Sequence, residues 1–373
     1  METRGTSFAT AGRGVGRASN RFALDYRAEA AALGRPPCPI IDFHTHVNGP
    51  RAALVWLDAA QAFGVDRVLT MVRRADAPVV RAALGHRVGF IAFPDFRHDD
   101  RGHAMREGFL DDIRAFQGEH GSRMIKLWNA PRLREFFPDA TGLDLVEFDG
   151  HWRVRQVELA ERLGMSVMVH VADPDTWFAS RYADASKYGR KRDHYRGLEA
   201  MLERFRGVKW FAAHMAGMPE DLDFLDAMLE RHPNLHIDTS ATKWIVRELG
   251  RHPVARVRAF LTRWSGRVIF GSDIVTTDEH LVPTNGGAAS PMGELADSQE
   301  SAFDLYASRY FALRTMFERS HEGESPIADP DLAMVDPSRH GPLDAPTLRG
   351  FELPRDMLTT LYRDAALGTG LFD

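Results

Sequence analysis

The stretch Ile40-Ile41-Asp42-Phe43-His44-Thr45-His46 joins an apolar, β-branched run to two histidines. Such a run predicts a buried β-strand. Because residues i and i+2 of a strand point to the same face, the side chains of His44 and His46 are expected to converge on one point. Imidazole is a common ligand of Zn²⁺ and related ions. The stretch is therefore a candidate both for the first strand of a sheet and for the first part of a metal site.

Seven further apolar runs follow, at 67–72, 87–93, 124–128, 166–170, 208–214, 235–239 and 268–273. Helical patterns lie between several of them, at 51–63, 151–163, 220–231 and 253–264, and a closing helix is expected near 354–366. Strand starts about 20 to 40 residues apart leave room for parallel crossovers, and continuous apolar strands indicate a sheet covered on both faces. We predict an α/β fold, a single (β/α)₈ TIM barrel. The alternative is a doubly wound open sheet, but no Gly-rich phosphate loop follows any of the runs.

Two segments depart from this repeating pattern. Residues 278–300 are rich in Gly, Pro, Ser and Ala, and they are predicted to form a lid insertion between the eighth strand and the eighth helix, because they leave the catalytic face. Residues 320–350 are predicted to form a C-terminal excursion, either a binding loop or a surface insertion. Residues 1–35 are predicted to be an N-terminal extension, and residues 36–373 to be the barrel domain.

Composition narrows the partners and the compartment. The formal net charge of −5 gives no support for nucleic-acid binding, and no apolar run approaches the roughly 18 residues that span a bilayer. The single cysteine, Cys38, cannot form an internal disulfide, which fits a reducing compartment. The expected location is therefore the cytoplasm, with neither a nucleic acid nor a membrane as partner.

Polar residues at the ends of the predicted strands identify a candidate site. In a parallel barrel the active site lies at the C-terminal ends of the strands. A lone histidine there is more often structural than a ligand. Here, however, the strand ends carry an ordered set, which is His44 and His46, Lys126, His170, His214 and Asp273. Imidazole and carboxylate are the ligands expected of a catalytic divalent ion, so the set predicts a metal site.

The same residues carry a resemblance to a known family. The motifs are residues 41–46, the strand ends His170 and His214, and the segments 213–217, 234–240, 247–253 and 270–273. Through them, residues 40–366 resemble the amidohydrolase superfamily, in the amidohydrolase-2 branch related to aminocarboxymuconate-semialdehyde decarboxylase. One position departs from this pattern, because Asp364 precedes Ala365 where the family usually has Asn.

The resemblance implies one divalent metal ion, first of all Zn²⁺ with Mn, Fe or Co as alternatives. Its implied ligands are His44, His46, His170 and Asp273. Asp273 would also take a proton from the attacking water. His214 would act as a catalytic histidine that orients the substrate or stabilises charge on its carbonyl oxygen, or as a further ligand.

Lys126, on the fourth strand, has three possible roles. It could bind the substrate as a cation, carry a carbamate that bridges two metal ions as in binuclear members of the superfamily, or form a structural ion pair. Trp128 lies two residues further on, shares the face of Lys126 and is a candidate to line the pocket.

Basic residues suggest the charge of the substrate. Arg73 and Arg74 follow the second strand on the catalytic side, and arginine pairs well with carboxylates. The loop 181–192 is also basic and either contacts the substrate or forms a solvated face. Trp177, Phe178 and Tyr182 either pack on a substrate ring or anchor this loop.

Three functions remain open at this point. The first is a metal-dependent hydrolase that acts on a C–N or C–O bond of a small, carboxylate-bearing substrate. The second is a non-oxidative decarboxylase of an aromatic or muconate-type acid. The third is a metal-binding barrel without turnover. A homodimer is a possible assembly.

Overall fold

A computed structural model of the chain describes residues 17–138, 142–283 and 293–372. Its parallel strands follow one another along the sequence as β1 (Ile40–His46), β2 (Val65–Met71), β3 (Val88–Ile91), β4 (Met124–Trp128), β5 (Ser166–His170), β6 (Trp210–Ala212), β7 (Leu235–Asp238), β8 (Val268–Ile269) and β9 (Ile274–Val275). One sheet has the order β3-β2-β1-β9, and the other runs from β4 to β8 in sequence order.

Backbone hydrogen bonds join these two sheets at both junctions. Between β3 and β4, the N–H of Ala92 donates to the carbonyl of Met124 at 2.9 Å, and the N–H of Lys126 donates to the carbonyl of Ala92 at 2.8 Å. At the other junction, the N–H of Phe43 donates to the carbonyl of Phe270 at 3.0 Å, and β9 pairs with β1. The predicted TIM barrel is confirmed.

The outer layer consists of helices, and the four predicted between strands are confirmed within two residues at each end. The longer helices of the described chain are Tyr26–Leu33, Pro50–Ala62, Ala77–Leu84, Glu107–His120, His151–Arg162, His194–Arg204, Leu222–Arg231, Val254–Arg263 and Gln299–Glu318. Shorter ones are Arg101–Ala104, Leu133–Phe136, Asp175–Phe178, Ala185–Tyr188, Thr242–Trp244, Asp331–Val335, Arg355–Thr359 and Ala365–Leu367, and π-helical turns cover Ile245–Leu249 and Thr360–Asp364. None of the described helices is long and apolar enough to cross a membrane.

An inner apolar cluster forms the floor of the barrel. It includes Phe43, Met168, Phe211 and Ile269, and the ring centroids of Phe43 and Phe211 are 4.9 Å apart. Each of these residues is followed, within four positions, by a polar residue at or just after the end of its strand. Apolar packing therefore ends where the C-terminal strand ends begin, and the polar side chains beyond it share one space.

Neighbouring residues of β1 contact different layers, as the alternation of side chains along a strand predicts. The register of β1 against β2 shifts between Asp42 and Thr45. Phe43 packs in the inner cluster, whereas the carboxylate of Asp42 accepts a hydrogen bond from the hydroxyl of Tyr310 at 2.8 Å. Tyr310 lies on the long helix Gln299–Glu318, so Asp42 ties the strand to the helical layer directly before His44.

The helix Tyr26–Leu33, near the start of the described chain, packs on the same long helix. Tyr26 is buried, and its ring contacts Phe311 at 5.8 Å. The side chain of Asp25 caps the helix Tyr26–Leu33 by accepting from the backbone N–H groups of residues 27 and 28. Residues 1–16 of the predicted N-terminal extension lie outside the described residues, and the division of the chain at residue 35 stays a prediction.

The two predicted insertions follow β9 and the helix Gln299–Glu318, respectively. Residues 284–292 of the predicted lid lie outside the described chain. Just before them, the carboxylate of Asp278 accepts a hydrogen bond from the N–H of Ala52 at 2.8 Å, which ties the start of the lid to the first turn of Pro50–Ala62. The excursion 320–350 begins and ends in an antiparallel pair, β10 (Glu322–Glu324) and β11 (Thr347–Arg349).

Candidate metal centre

Three predicted ligands meet at the C-terminal ends of β1 and β8. The Nε2 atoms of His44 and His46 each lie 3.4 Å from Oδ1 of Asp273. The ligand atoms of these residues lie within 4.8 Å of one another. Nε2 of His44 is buried and has no hydrogen-bond partner in the described part of the chain. Two imidazoles and one carboxylate with an unsatisfied buried nitrogen fit a divalent metal ion.

The orientation of His44 is set by a residue at the end of β7. Nδ1 of His44 donates to Oδ2 of Asp238 at 2.9 Å, since a carboxylate can only accept. Burial alone would raise the pKa of Asp238, but His44, His214 and Lys126 outweigh it and hold that pKa far below its usual range. With the proton on Nδ1, the lone pair of Nε2 points towards Asp273 and is free for a metal ion.

Asp273 has the electrostatics of a permanently ionised carboxylate. Burial acts to raise its pKa, but the nearby imidazoles, first of all His214, hold the pKa well below its ordinary range. Its backbone is left-handed, with φ of +59°, and its N–H donates to the carbonyl of His44 at 2.8 Å. A non-glycine residue in this conformation is strained, so β1 holds Asp273 where the barrel needs its carboxylate.

His214 lies in a tight turn after β6 and joins two neighbours. Its Nδ1 is 2.7 Å from Oγ of Ser240, and its Nε2 is 3.2 Å from Nδ1 of His170. Burial lowers the pKa of His214 well below 6.5, which keeps the imidazole neutral. At Gly217, which closes the turn, a Cβ atom would lie 2.0 Å from the carbonyl oxygen of Ala172, so only glycine fits there.

His170, the fourth ligand implied by the resemblance, lies outside the group of three. Its Nε2 donates to Oδ1 of Asp173 at 2.8 Å, and Oδ2 of Asp173 accepts from the hydroxyl of Tyr182 at 2.6 Å. The Nδ1 atom of His170 faces His214. As the structure stands, His170 is oriented by Asp173 and supports His214, and a role as ligand stays a prediction.

Lys126 points an unpaired charge into the site. Its side chain is buried, and its Nζ has no hydrogen-bond partner in the described part of the chain. Burial lowers the pKa of Lys126 to about 8, although the carboxylates of Asp238 and Asp273 act in the opposite direction. Lys126 can therefore serve as a cation for an anionic ligand. The geometry does not support the predicted alternative of a structural ion pair, because no described carboxylate contacts its Nζ.

The predicted substrate-binding residues occupy different places. Arg73 lines a cavity of about 400 Å³ that His46 also lines, and its Nε donates to Asp76 at 2.7 Å. The adjacent Arg74 is ion-paired with Glu119 and lies outside the lining of this cavity. Trp128 stands further along the same face, where its ring contacts Phe96 at 5.5 Å and His170 at 6.3 Å.

The basic loop 181–192 is largely neutralised by carboxylates. Ion pairs join Arg181 to Glu135, Lys191 to Glu220 and Arg192 to Asp221. The aromatic residues of this region contact one another, with Tyr182 lying 5.6 Å from Trp177 and 5.2 Å from Phe178. These contacts favour the loop-anchor interpretation over substrate stacking.

Four residues of the site carried no assigned role in the sequence: Asp173, Asp238, Ser240 and Trp244. Asp238 and Ser240 end a predicted strand on the catalytic side, and that position is a signal that could have found them. The other two lie in loops after β5 and β7. Their contacts with His170 depend on how these loops pack, and the sequence offers no comparable signal.

Comparisons with known proteins bear on the family. Residues 42–355 match the sequence model of the amidohydrolase family. No curated protein matches the chain. A 5-carboxyvanillate decarboxylase from Novosphingobium aromaticivorans, solved with bound manganese, has a TM-score of 0.39 and 10% identity over 75% of this chain and 97% of its own.

Two further solved structures are comparably distant. An amidohydrolase from Burkholderia multivorans has a TM-score of 0.37 and 13% identity over 73% of this chain and 91% of its own. An HMG-CoA lyase from Bacillus subtilis has a TM-score of 0.38 and 14% identity over 64% and 78%. TM-scores below 0.5 carry no argument about this chain. The sequence match is of a different kind, because it spans most of the chain and includes His44 and His46 at the end of β1. The chain belongs to the amidohydrolase family of enzymes.

Proposed function

We propose that the enzyme is a metal-dependent hydrolase that cleaves a C–N or C–O bond of a small, carboxylate-bearing substrate. The observation that carries this proposal is the meeting of His44, His46 and Asp273 at one point, with Nε2 of His44 buried and unpaired. These three residues are the proposed ligands of one divalent ion, Zn²⁺ first and Mn, Fe or Co as alternatives. His170 would join them through Nδ1, the nitrogen that faces His214, because Asp173 holds its Nε2.

The surrounding side chains have the protonation states that hydrolysis needs. A divalent ion bound here would lower the pKa of a coordinated water from about 15.7 to about 7. Asp273 is ionised, so its carboxylate can accept the proton that the attacking water loses. His214 is neutral and can orient the substrate or stabilise the charge that develops on its carbonyl oxygen.

Two cations are proposed to bind the carboxylate of the substrate. Lys126 is buried with an unpaired Nζ, so an anion next to it would recover the solvation that burial removes. Arg73 lines the cavity at His46 and can form paired hydrogen bonds with a carboxylate. Because Lys126 lies among carboxylates and imidazoles and has a lowered pKa, carbamylation remains the alternative for it, and a second metal ion would be its signature.

One observation favours decarboxylation as a second candidate. The cavity that contains Arg73 is also lined by Phe93 and Phe96, whose ring centroids are 4.9 Å apart. The ring of Phe93 meets that of His46 at 5.8 Å. An arginine beside two aromatic rings suits an aromatic acid, which is the substrate class of such a lyase. The third alternative, a barrel without turnover, is set aside because the chain belongs to a family of enzymes.

The experiment is a metal analysis of the purified protein together with a screen of amides, esters, lactones and aromatic acids for released carboxylate and for released CO₂. We expect about one ion per chain and turnover with at least one carboxylate-bearing compound. Asp273→Asn should keep most of its metal and lose turnover by a factor of about 10² or more. Unchanged turnover in this variant, or CO₂ release without any hydrolysis, would overturn the hydrolase assignment.

The remaining expectations about partners stay proposals. We propose a small anionic molecule as the substrate, a cytoplasmic location and no nucleic-acid or membrane partner. A homodimer is the proposed assembly, and sedimentation of the metal-loaded protein would test it.

A further inference from the structure

The excursion 320–350 brings one carboxylate back into the molecule. Asp331 is the first residue of the helix Asp331–Val335 and is 4% exposed. The antiparallel pair of β10 and β11 holds the base of the excursion. Further along it, the N–H of Asp329 donates to the carbonyl of Asp344 at 2.8 Å. The position of Asp331 is therefore built into a folded segment.

Three donors from two different loops converge on this carboxylate. Nε1 of Trp177, in the loop after β5, donates to Oδ2 at 2.9 Å. Nε1 of Trp244, in the loop after β7, donates to the same oxygen at 2.7 Å. Nζ of Lys243 donates to Oδ1 at 2.9 Å. Indole N–H groups donate only, so both tryptophan rings are oriented by an acceptor that the excursion supplies.

A second contact holds the excursion to the same loop. Arg247 lies three residues after Trp244. Its guanidinium is ion-paired with Asp329 and lies 3.4 Å from Oδ2 of Asp331. It also donates to Oγ1 of Thr176 at 2.9 Å. The excursion is thus linked by buried charges to the loops after both β5 and β7.

The ring of Trp244 leads from this carboxylate to the catalytic histidines. Its centroid lies 5.5 Å from that of His214 and 6.2 Å from that of His170, in edge-to-face arrangements of 88° and 85°. A third such contact joins it to Trp177 at 6.0 Å. One indole therefore supports both members of the 3.2 Å contact between His170 and His214.

We propose that Asp331 is a positioning residue for the His170–His214 pair and acts through the indole of Trp244. The inference rests on the proposed function, in which His214 faces the substrate. A displacement of about 1 Å at a reacting group can reduce turnover about 10²-fold. The carboxylate fixes the indole by hydrogen bonds, and the indole fixes both imidazoles by contact. The excursion is on this account part of the catalytic machinery and not a surface insertion.

The test compares Asp331→Asn with Trp244→Phe and with a matched control, Asp336→Asn. Asparagine at 331 keeps the size of the side chain but offers one acceptor oxygen where the three donors named above and Arg247 converge. Phenylalanine at 244 keeps a ring and removes the N–H. Asp336 lies at the other end of the same helix, and its carboxylate accepts local hydrogen bonds from Ser338.

Two readouts are measured on the metal-loaded protein, the ¹H–¹⁵N resonances of the histidine rings and the metal content. We expect Asp331→Asn and Trp244→Phe to shift the ring signals of His170 and His214, to leave those of His44 and His46 in place, and to retain the metal. With an active substrate, kcat should fall by about 10-fold to 100-fold while KM changes little, and Asp336→Asn should match the wild type.

Unchanged signals of His170 and His214 in both variants would overturn the proposal, and so would a uniform shift of all four imidazoles. If Asp331→Asn does not fold, the ring signals of His170 and His214 in Trp244→Phe alone test the proposal. Absence of any wild-type turnover would instead refute the proposed function, and the ring signals would still decide whether Asp331 positions the pair.

Discussion

Nδ1 of His44 lies 2.9 Å from Oδ2 of Asp238, and both side chains are almost completely buried. This contact leaves Nε2 of His44 facing Asp273. A carboxylate behind a ligating imidazole fixes its tautomer and raises its basicity. The proposed metal site therefore depends on a residue that does not belong to the candidate ligand group of His44, His46 and Asp273.

Asp238→Asn should weaken metal binding about 10-fold to 100-fold. The amide can no longer accept from Nδ1 with a full negative charge, so the imidazole loses both orientation and basicity. The affinity is measured by competition with a chelator of known strength. Asp223→Asn is the control, since the side chain of Asp223 is 92% exposed. An affinity of Asp238→Asn equal to that of the control would contradict the argument.

His44→Gln and His170→Gln should differ in metal content. His44 offers a buried, unpaired Nε2, whereas both nitrogens of His170 are engaged, Nε2 by Asp173 and Nδ1 by His214. We expect His44→Gln to lose most of its metal during gel filtration and His170→Gln to retain most of it, as measured by mass spectrometry of the ion. Equal losses would show that His170 is the fourth ligand that the family resemblance implies.

Arg73→Gln should raise KM for a carboxylate substrate, whereas Arg74→Gln should leave it nearly unchanged. Arg73 lines the cavity at His46, and a charge-assisted hydrogen bond to a carboxylate contributes about 1.5 to 3 kcal/mol, so its loss should raise KM about 10-fold or more. Arg74 is ion-paired with Glu119, and its replacement should leave KM within about twofold. Steady-state kinetics with a carboxylate substrate measure both, and equal effects would rule out a special role for Arg73.

Protonation of His236 should lower the free energy of unfolding as the pH falls. Burial lowers its pKa from 6.5 to about 4, so the folded protein prefers the neutral ring. This contribution is complete above about pH 6.5 and is lost as the pH falls towards 4, because the unfolded chain binds the proton first. Between about pH 7.5 and pH 5, wild type should lose up to about 2 kcal/mol more unfolding free energy than His236→Phe.

The measurement is denaturant unfolding of both proteins at the two pH values. Phenylalanine is chosen because the ring of His236 packs on Phe211 with centroids 5.0 Å apart. His151→Gln, at an exposed histidine, shows the effect of removing a surface histidine. A stability difference between wild type and His236→Phe that is the same at both pH values would contradict the prediction.

The sequence predicted the barrel and the main site residues because strand position and chemistry coincide there. His44, His46 and Asp273 end strands on the catalytic side, and parallel strand ends meet at one face. An eighth helix was expected from the barrel repeat, but the bounds of Gln299–Glu318 were not predicted. Most of its residues are buried, so the alternation of apolar and polar faces that reveals a surface helix is weak in it.

Long-range contacts account for the rest. Asp331 and Trp244 are 87 residues apart in sequence. Nothing about an aspartate or a tryptophan in a loop predicts that these two side chains form a hydrogen bond. The contact of His170 with Asp173 is local, at a separation of three residues, but a loop aspartate usually caps a turn, so its residue type does not indicate this role either. Local patterns describe the elements and their ends, whereas the residues that orient the histidines are found by tertiary packing.

The turn that carries His214 has a strained backbone, and relieving this strain by substitution would affect both stability and activity. His214, Met215 and Ala216 have φ values of +58°, +50° and +57°, and each left-handed non-glycine residue costs about 1 to 2 kcal/mol. Ala216→Gly would relieve part of that cost without removing a functional group. The same change would give the backbone beside the imidazole of His214 more freedom. Glycine at position 216 would therefore favour a more stable enzyme, and alanine a faster one.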